Sequence, residues 1–139
     1  VLDLGCGSGL VGIAAMKAGA ASVLAVDIDP HAVVATQLNA EANDVAVETL
    51  HVDLLDGPPP AVEVVLAGDL FYSRALARRS LPFLRRCSDA GLSVVIGDPG
   101  RATLPRSRLR QLATYDVPDF GSAVARPAGV HVLRGHRRG

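Results

Sequence analysis

The 139 residues suit one domain of ordinary size, and at 49% hydrophobic they are apolar enough for a real core. The longest apolar runs fall far short of the ~20 residues that span a bilayer, and no signal-peptide pattern is present, so the composition points to a cytoplasmic protein with no membrane role. Net charge is zero but unevenly laid: residues 1–69 hold one lysine against ten acids, residues 70–139 thirteen arginines against four acids, a split that in one domain partly cancels and is no nucleic-acid signature, though it leaves room for an acidic protein partner.

Val1 to Leu4 reads as a buried strand and Gly5 to Gly9 as a glycine-rich turn. A helix over Leu10–Ala18 stops at Gly19, a C-terminal cap. Ser22–Val26 is the second strand. Asp29 then caps a helix with Pro30 at its first position, running to about Ala42, with Val34 and Leu38 on one face and Asn43 as its stop. Val45–Val52 is the third strand, and Asp56-Gly57-Pro58-Pro59-Pro60 is a loop. Val62–Ala67 is the fourth strand. Ser73–Ser88 is an arginine-rich helix with Leu76, Phe83, Leu84 and Cys87 inward, the arginines mostly toward water, and a kink or break expected at Pro82. Leu92–Ile96 is the fifth strand, Arg106–Leu112 a short helix, and Thr114–Val117 and Val130–Leu133 the last strands. Alternating strands and helices imply a doubly wound, mostly parallel α/β sheet as one domain over 1–139, with ligands beyond the carboxyl ends of the strands. A chain that opens inside a core strand is expected to be a fragment lacking N-terminal covering helices.

Val1-Leu2-Asp3-Leu4-Gly5-Cys6-Gly7-Ser8-Gly9 is the strongest chemical signal, because glycines let a backbone turn tightly and approach a ligand. Gly12 also keeps a dinucleotide fingerprint open on spacing alone. The carboxylate of Asp3 argues against a pyrophosphate there and suits a ligand's ammonium group instead. Asp27, ending the second strand, can accept both hydroxyls of a ribose, in an adenosine cofactor or in NAD. Asp53 is either an acceptor for an adenine amino group or a surface loop acid. Cys6 and Cys87 form no disulfide framework and read as small buried residues. They and His31, His51, His131 and His136 show no metal-ligand spacing.

Residues 1–98 resemble a class I, seven-strand S-adenosylmethionine-dependent methyltransferase, with 1–9 similar to its first motif and Val26-Asp27-Ile28-Asp29-Pro30 to its second. The resemblance implies that Gly5, Gly7 and Gly9 line the methionine part, Asp27 the ribose and Asp53 the adenine. Asp69-Leu70-Phe71-Tyr72, after the fourth strand, resembles the Asp-x-x-Tyr signature of the protein-lysine branch. Together with Gly97-Asp98-Pro99-Gly100-Arg101-Ala102-Thr103-Leu104-Pro105 it is similar to the electron-transfer-flavoprotein β-subunit lysine methyltransferases and bacterial relatives labelled ribosomal-protein methyltransferases. That family often has an acid after the tyrosine, where this chain has Ser73. The resemblance implies S-adenosylmethionine as cofactor, Asp69 as acceptor for a lysine amine and as a cofactor neighbour, and Tyr72 shaping the channel. It implies a protein substrate, an electron-transfer flavoprotein β subunit or a ribosomal protein. The Asn/Asp-Pro-Pro-Tyr run of enzymes acting on planar amines is absent, which speaks against nucleic acid. Two other readings remain: an NAD-type oxidoreductase, and a non-catalytic domain that binds cofactor or partner.

Overall fold

A computed structural model describes residues 1–118 and 124–134. Seven strands form one sheet in the order β3-β2-β1-β4-β5-β7-β6. They are β1 (Leu2–Leu4), β2 (Leu24–Asp27), β3 (Glu48–His51), β4 (Val64–Gly68), β5 (Ser93–Asp98), β6 (Leu109–Val117) and β7 (Arg126–Leu133). The first five run parallel, and β7 is antiparallel to both β5 and β6. Three helices cover the sheet: α1 (Leu10–Lys17), α2 (Pro30–Ala42) and α3 (Arg74–Asp89). The expected doubly wound architecture is therefore present. Chain order reverses at β1, which pairs with β2 on one side and β4 on the other, and the crevice opens beyond the carboxyl ends of those strands.

The central strands are short and apolar because both faces are covered. Leu2, Val26, Val65 and Ile96 are fully buried, and α3 adds Phe83, Leu84 and Cys87 to the same core. Leu76 packs at its margin. Ser73, in the place of the expected family acid, caps α3: its hydroxyl accepts the Leu76 amide at 3.2 Å. A serine serves a helix N-terminus as well as an aspartate does.

Two expectations on the helices and two on the strands need correction. α3 passes through Pro82 unbroken. Pro82 and Arg78 both lie on the exposed side, so the Arg78 carbonyl that loses its amide partner faces water. Val34 and Leu38 are 53% and 61% exposed, whereas Thr36 and Ala40 are buried. Two residues along a helix turn about 200°, and α2 presents its small face to the glycine turn and to β2 and β3. The helix expected over Arg106–Leu112 is only a single 3-10 turn, Arg106–Arg108, after which β6 begins at Leu109 and pairs with Leu133. The β ladder with β7 outcompetes local helix propensity there. β3 covers only Glu48–His51 of its expected span, and β7 starts four residues earlier than expected. His136 lies outside the described residues.

Candidate functional site

The glycine turn joins β1 to α1 over the carboxyl end of the sheet. Gly5, Gly7 and Gly9 take φ of +69°, +54° and +82°, the left-handed region that costs other residues most. Each is there for a different reason. A Cβ on Gly9 would lie 2.8 Å from Thr36 Cγ2, so this glycine lets α2 pack on the turn. A Cβ on Gly5 would strike Leu70. A Cβ on Gly7 would meet nothing within 4 Å, which leaves its backbone bare toward the crevice. Thr36 also binds the turn from α2, its hydroxyl donating to the Gly7 carbonyl at 3.2 Å. Gly9→Ala combines a left-handed alanine with this clash, so a loss of about 2 kcal/mol of stability is expected in urea unfolding. Gly7→Ala carries only the backbone penalty, about 1 kcal/mol.

Asp3 is 1% exposed, beneath the turn. Its Oδ2 accepts the Gly12 amide at 2.7 Å, which fastens the first turn of α1 to β1. Burial pushes its carboxyl up to about 6, against the pull of that amide, with the charge of Asp27 adding to the rise. Gly12, kept open as the last glycine of a dinucleotide fingerprint, presses against Asp3 and Val23 instead, where a Cβ would come within 3.0–3.1 Å.

Asp27 ends β2 with both carboxylate oxygens turned to backbone amides, Oδ2 to Gly7 at 2.9 Å and Oδ1 to Asp29 at 3.0 Å. Asp29 caps α2 by accepting the His31 amide at 2.9 Å, as expected. Asp53 follows β3. Its Oδ2 takes Arg79 of α3 at 2.8 Å and its Oδ1 the Leu55 amide at 3.1 Å. The Arg79 guanidinium foremost, then that amide, hold the Asp53 carboxyl below the usual range. The same guanidinium reaches Asp56 at 2.7 Å, and Arg86 donates to the carbonyls of Leu55 and Gly57. Two of the arginines expected to face water thus strap the proline loop to α3.

Asp69 follows β4 at φ +49°, a left-handed conformation that aspartate tolerates better than most residues. Its amide donates to the Gly97 carbonyl at 2.8 Å, tying the loop after β4 to the end of β5. Arg101 forks onto its carboxylate, Nε to Oδ1 at 2.8 Å and Nη2 to Oδ2 at 2.7 Å. Arg101 is in turn aimed by Asp98, whose Oδ1 accepts the amides of Gly100 and Arg101, both at 2.7 Å. Thr103 donates its hydroxyl to the Phe71 carbonyl. Phe71 is fully buried, and Tyr72 stands 64% exposed at the rim.

One cavity of about 260 Å³ collects Gly5, Gly7, Asp27, Asp53, Asp69 and Tyr72 among its lining residues, with Ile28, Val52, Leu54 and Arg79 as part of its walls. Of the residues singled out in the sequence, Asp3 and Gly9 do not line it, Asp3 lying under the turn and Gly9 behind it. Arg79 and Arg101 were missed as members of the site. Their signal was position: Arg79 sits one turn from Leu76 on α3, and Arg101 in the glycine-proline turn at the carboxyl end of β5. The charge imbalance along the sequence resolves here, since both arginines of the second half pair with acids of the first. Cys6 and Cys87 are free and buried, and burial pushes both thiols up. Among the described residues no three metal-binding side chains come together.

The family model for ribosomal protein L11 methyltransferase (PrmA) matches residues 1–71. The chain is 42% identical over 125 residues to the electron transfer flavoprotein beta subunit lysine methyltransferase of Danio rerio, covering 86% of this chain and 48% of that protein. It is 38% identical over 102 residues to the ribosomal protein L11 methyltransferase of Actinobacillus pleuropneumoniae, covering 69% and 33%. The chain spans about half the length of the flavoprotein-modifying relatives it matches. A ribosomal protein L11 methylase structure from Lactobacillus delbrueckii subsp. bulgaricus superposes with a TM-score of 0.63 at 23% identity, over 97% of this chain and 69% of that one. A Pyrococcus abyssi tRNA (uracil-54, C5)-methyltransferase solved with S-adenosyl-L-homocysteine gives 0.70 at 22%, over 96% and 33%. At such identities the two structures speak for the fold alone.

Proposed function

The chain belongs to the ribosomal protein L11 methyltransferase (PrmA) family, and from that premise we propose that it transfers a methyl group from S-adenosylmethionine to a protein amine, a lysine side chain. The observation that carries this reading is the gathering of a bare glycine turn, Asp27, Asp53, Asp69 and Tyr72 around one crevice at the switch point of the sheet. The donor set fits such a cofactor. A carboxylate offers about four lone-pair sites, and Asp27 has given two to amides, which leaves two for a pair of ribose hydroxyls. Ile28, Val52 and Leu54 supply apolar walls for a flat base, beside the Asp53 carboxylate. Gly5 and Gly7 let the methionine part lie against backbone, with Asp3 beneath to balance its ammonium. The cofactor brings an already activated methyl group, so this chain's task is to align an amine with it and supply a neutral lone pair. Asp69 accepts a hydrogen bond from that amine, and Tyr72 walls the approach.

The nicotinamide reading finds no support in the relatives compared. The displaced dinucleotide glycine and the Asp-Leu-Phe-Tyr run in place of Asn/Asp-Pro-Pro-Tyr favour a protein amine over both NAD chemistry and a nucleic-acid base. No helix of the described residues is long and apolar enough to cross a membrane, and two unpaired buried cysteines suit a reducing, cytoplasmic setting. We read residues 1–139 as one cofactor-binding domain. Two candidate acceptors come from the relatives' names: electron-transfer flavoprotein β subunit and ribosomal protein L11.

Calorimetry is expected to show S-adenosylhomocysteine binding and no NADH binding. Incubating the complete gene product with labelled cofactor and each candidate acceptor is expected to label a lysine, located by mass spectrometry. Cofactor binding without a labelled lysine on any protein of the host lysate would leave the non-catalytic reading standing. Asp27→Ala is expected to weaken S-adenosylhomocysteine by about 2 kcal/mol, the loss of charged hydrogen bonds to two hydroxyls. Unchanged affinity would remove Asp27 from the ribose site.

A further inference from the structure

Asp69 poses a chemical difficulty for the reading above. A lysine must give up a proton before its nitrogen can attack, and a lone carboxylate at its side favours the ammonium form. The structure holds Asp69 in a bidentate pair, with Arg101 Nε and Nη2 at 2.8 and 2.7 Å on its two oxygens. The pair is built in: the Arg101 amide is fixed by Asp98, and the Asp69 amide by Gly97. Arg101 uses two of the carboxylate's four lone-pair sites and leaves two. An amine bonded to one of those at about 2.9 Å lies roughly 5 Å from the guanidinium, within the range where a cation disfavours another cation.

We propose that Arg101 is a positioning residue for the amine acceptor: it orients the Asp69 carboxylate and cancels its charge, so that Asp69 receives a neutral amine and not an ammonium. The inference rests on the amine-methylation reading. Among the described residues, the other charged groups around the cavity stand apart from this pair. Asp53 and Asp56 share the single guanidinium of Arg79, and the one negative charge that trio keeps stands after β3, with β2 and β1 between it and β4. Asp27 is engaged by two amides on β2, across the crevice. Asp98 is buried beneath the turn that carries Arg101. In the transfer itself, the amine lone pair forms the N–C bond while the methyl carbon's bond to sulfur breaks, its electrons remaining on sulfur. The proton shed before attack, and one from the alkylammonium product, pass to water.

Two measurements on the complete gene product test this, with parent, Arg101→Gln and Arg101→Lys. The first is the pH profile of kcat for lysine methylation, which reports groups in the bound complex. Its acid limb is expected to move up by about two pH units in Arg101→Gln. In Arg101→Lys, which keeps the charge and loses the fork, the limb is expected to stay with the parent while kcat falls. The second needs no turnover: n-butylamine is titrated into protein saturated with S-adenosylhomocysteine at about pH 8.5, where the free amine is protonated, in two buffers of different ionisation heat. Parent and Arg101→Lys are expected to release close to one proton per amine bound, and Arg101→Gln close to none. Equal proton counts in all three proteins, or no amine binding in any, overturn the proposal. Counts that separate as expected while the parent methylates no protein amine would keep Arg101 in this role and remove the proposed activity.

Discussion

Asp69→Asn is expected to lower kcat for lysine methylation by on the order of 10²–10³, about 3–4 kcal/mol in the barrier, while affinity for S-adenosylhomocysteine changes less than about threefold. The substitution is suited to isolating chemistry from folding. Asparagine tolerates the left-handed φ of +49° as readily as aspartate, so the turn after β4 keeps its shape and its amide still donates to Gly97. What changes is the acceptor set: one oxygen becomes an NH₂ group, which cannot accept from an amine and repels the Arg101 fork. On the proposed reading the acceptor nitrogen then loses its orienting partner in the transition state, while the proposed ribose and adenine contacts of Asp27 and Asp53, at the ends of other strands, are untouched. Tyr72→Phe removes only a hydroxyl at an exposed rim position, and a loss of less than tenfold is expected. Steady-state kinetics beside calorimetry separates the cases. An equal loss of kcat and cofactor affinity in Asp69→Asn would make the residue structural, and no loss of either would take it out of the site.

The strand and helix order was legible because each parallel strand is a short apolar run and each helix carries a local marker: the glycine turn before α1, and Asp29-Pro30 before α2. The crevice was legible for the same reason, since Asp27 ends a strand and Asp53 and Asp69 each stand just past one, where an open sheet puts its ligands. What remained hidden depends on partners distant in sequence. Arg79 meets Asp53 across 26 residues and Arg101 meets Asp69 across 32, and their local positions, one turn from Leu76 and in the turn after β5, do not reveal those partners. Likewise Val34 and Leu38 match a helical apolar stripe, yet the glycine turn offers room only for the small face of Thr36 and Ala40. β6 was misread because Arg106 to Leu112 has helical composition, and only the β7 ladder, formed by residues further along the chain, makes it a strand. Asp3 was expected to serve a ligand's ammonium, and its tie to Gly12, which fixes α1 on β1, was not foreseen.

That tie has a consequence for stability. Burial raises the Asp3 carboxyl to about 6 in the fold, against 3.8 for the free side chain. Between these values the folded chain holds a proton that the unfolded chain has released, so unfolding stability falls as pH rises through this window. At 1.36 kcal/mol per unit the whole shift is worth about 3 kcal/mol, most of it lost between pH 4 and pH 7, a large share of the 5–15 kcal/mol typical of a domain. Asp29 and Asp53, whose carboxyls are held below the usual range by His31 and Arg79 respectively, act with the opposite sign. Their contribution is present above about pH 4 and is lost only as pH drops further, so it does not mask the Asp3 slope. Asp3→Asn keeps an oxygen for the Gly12 amide and removes the proton exchange. Urea unfolding at pH 4.5, 5.5 and 7 is expected to show the parent weakening across the series and Asp3→Asn nearly flat, with the variant the more stable at pH 7. On the proposed reading the cofactor's ammonium favours the ionised form, so S-adenosylhomocysteine is expected to bind the parent more weakly below about pH 6 and Asp3→Asn with little change. Parallel stability curves for the two proteins would mean that Asp3 is ionised at no greater cost in the fold than in water. The buried carboxylate would then have a partner beyond Gly12 already in the free protein, and its proposed role beneath the methionine part would lose its physical basis.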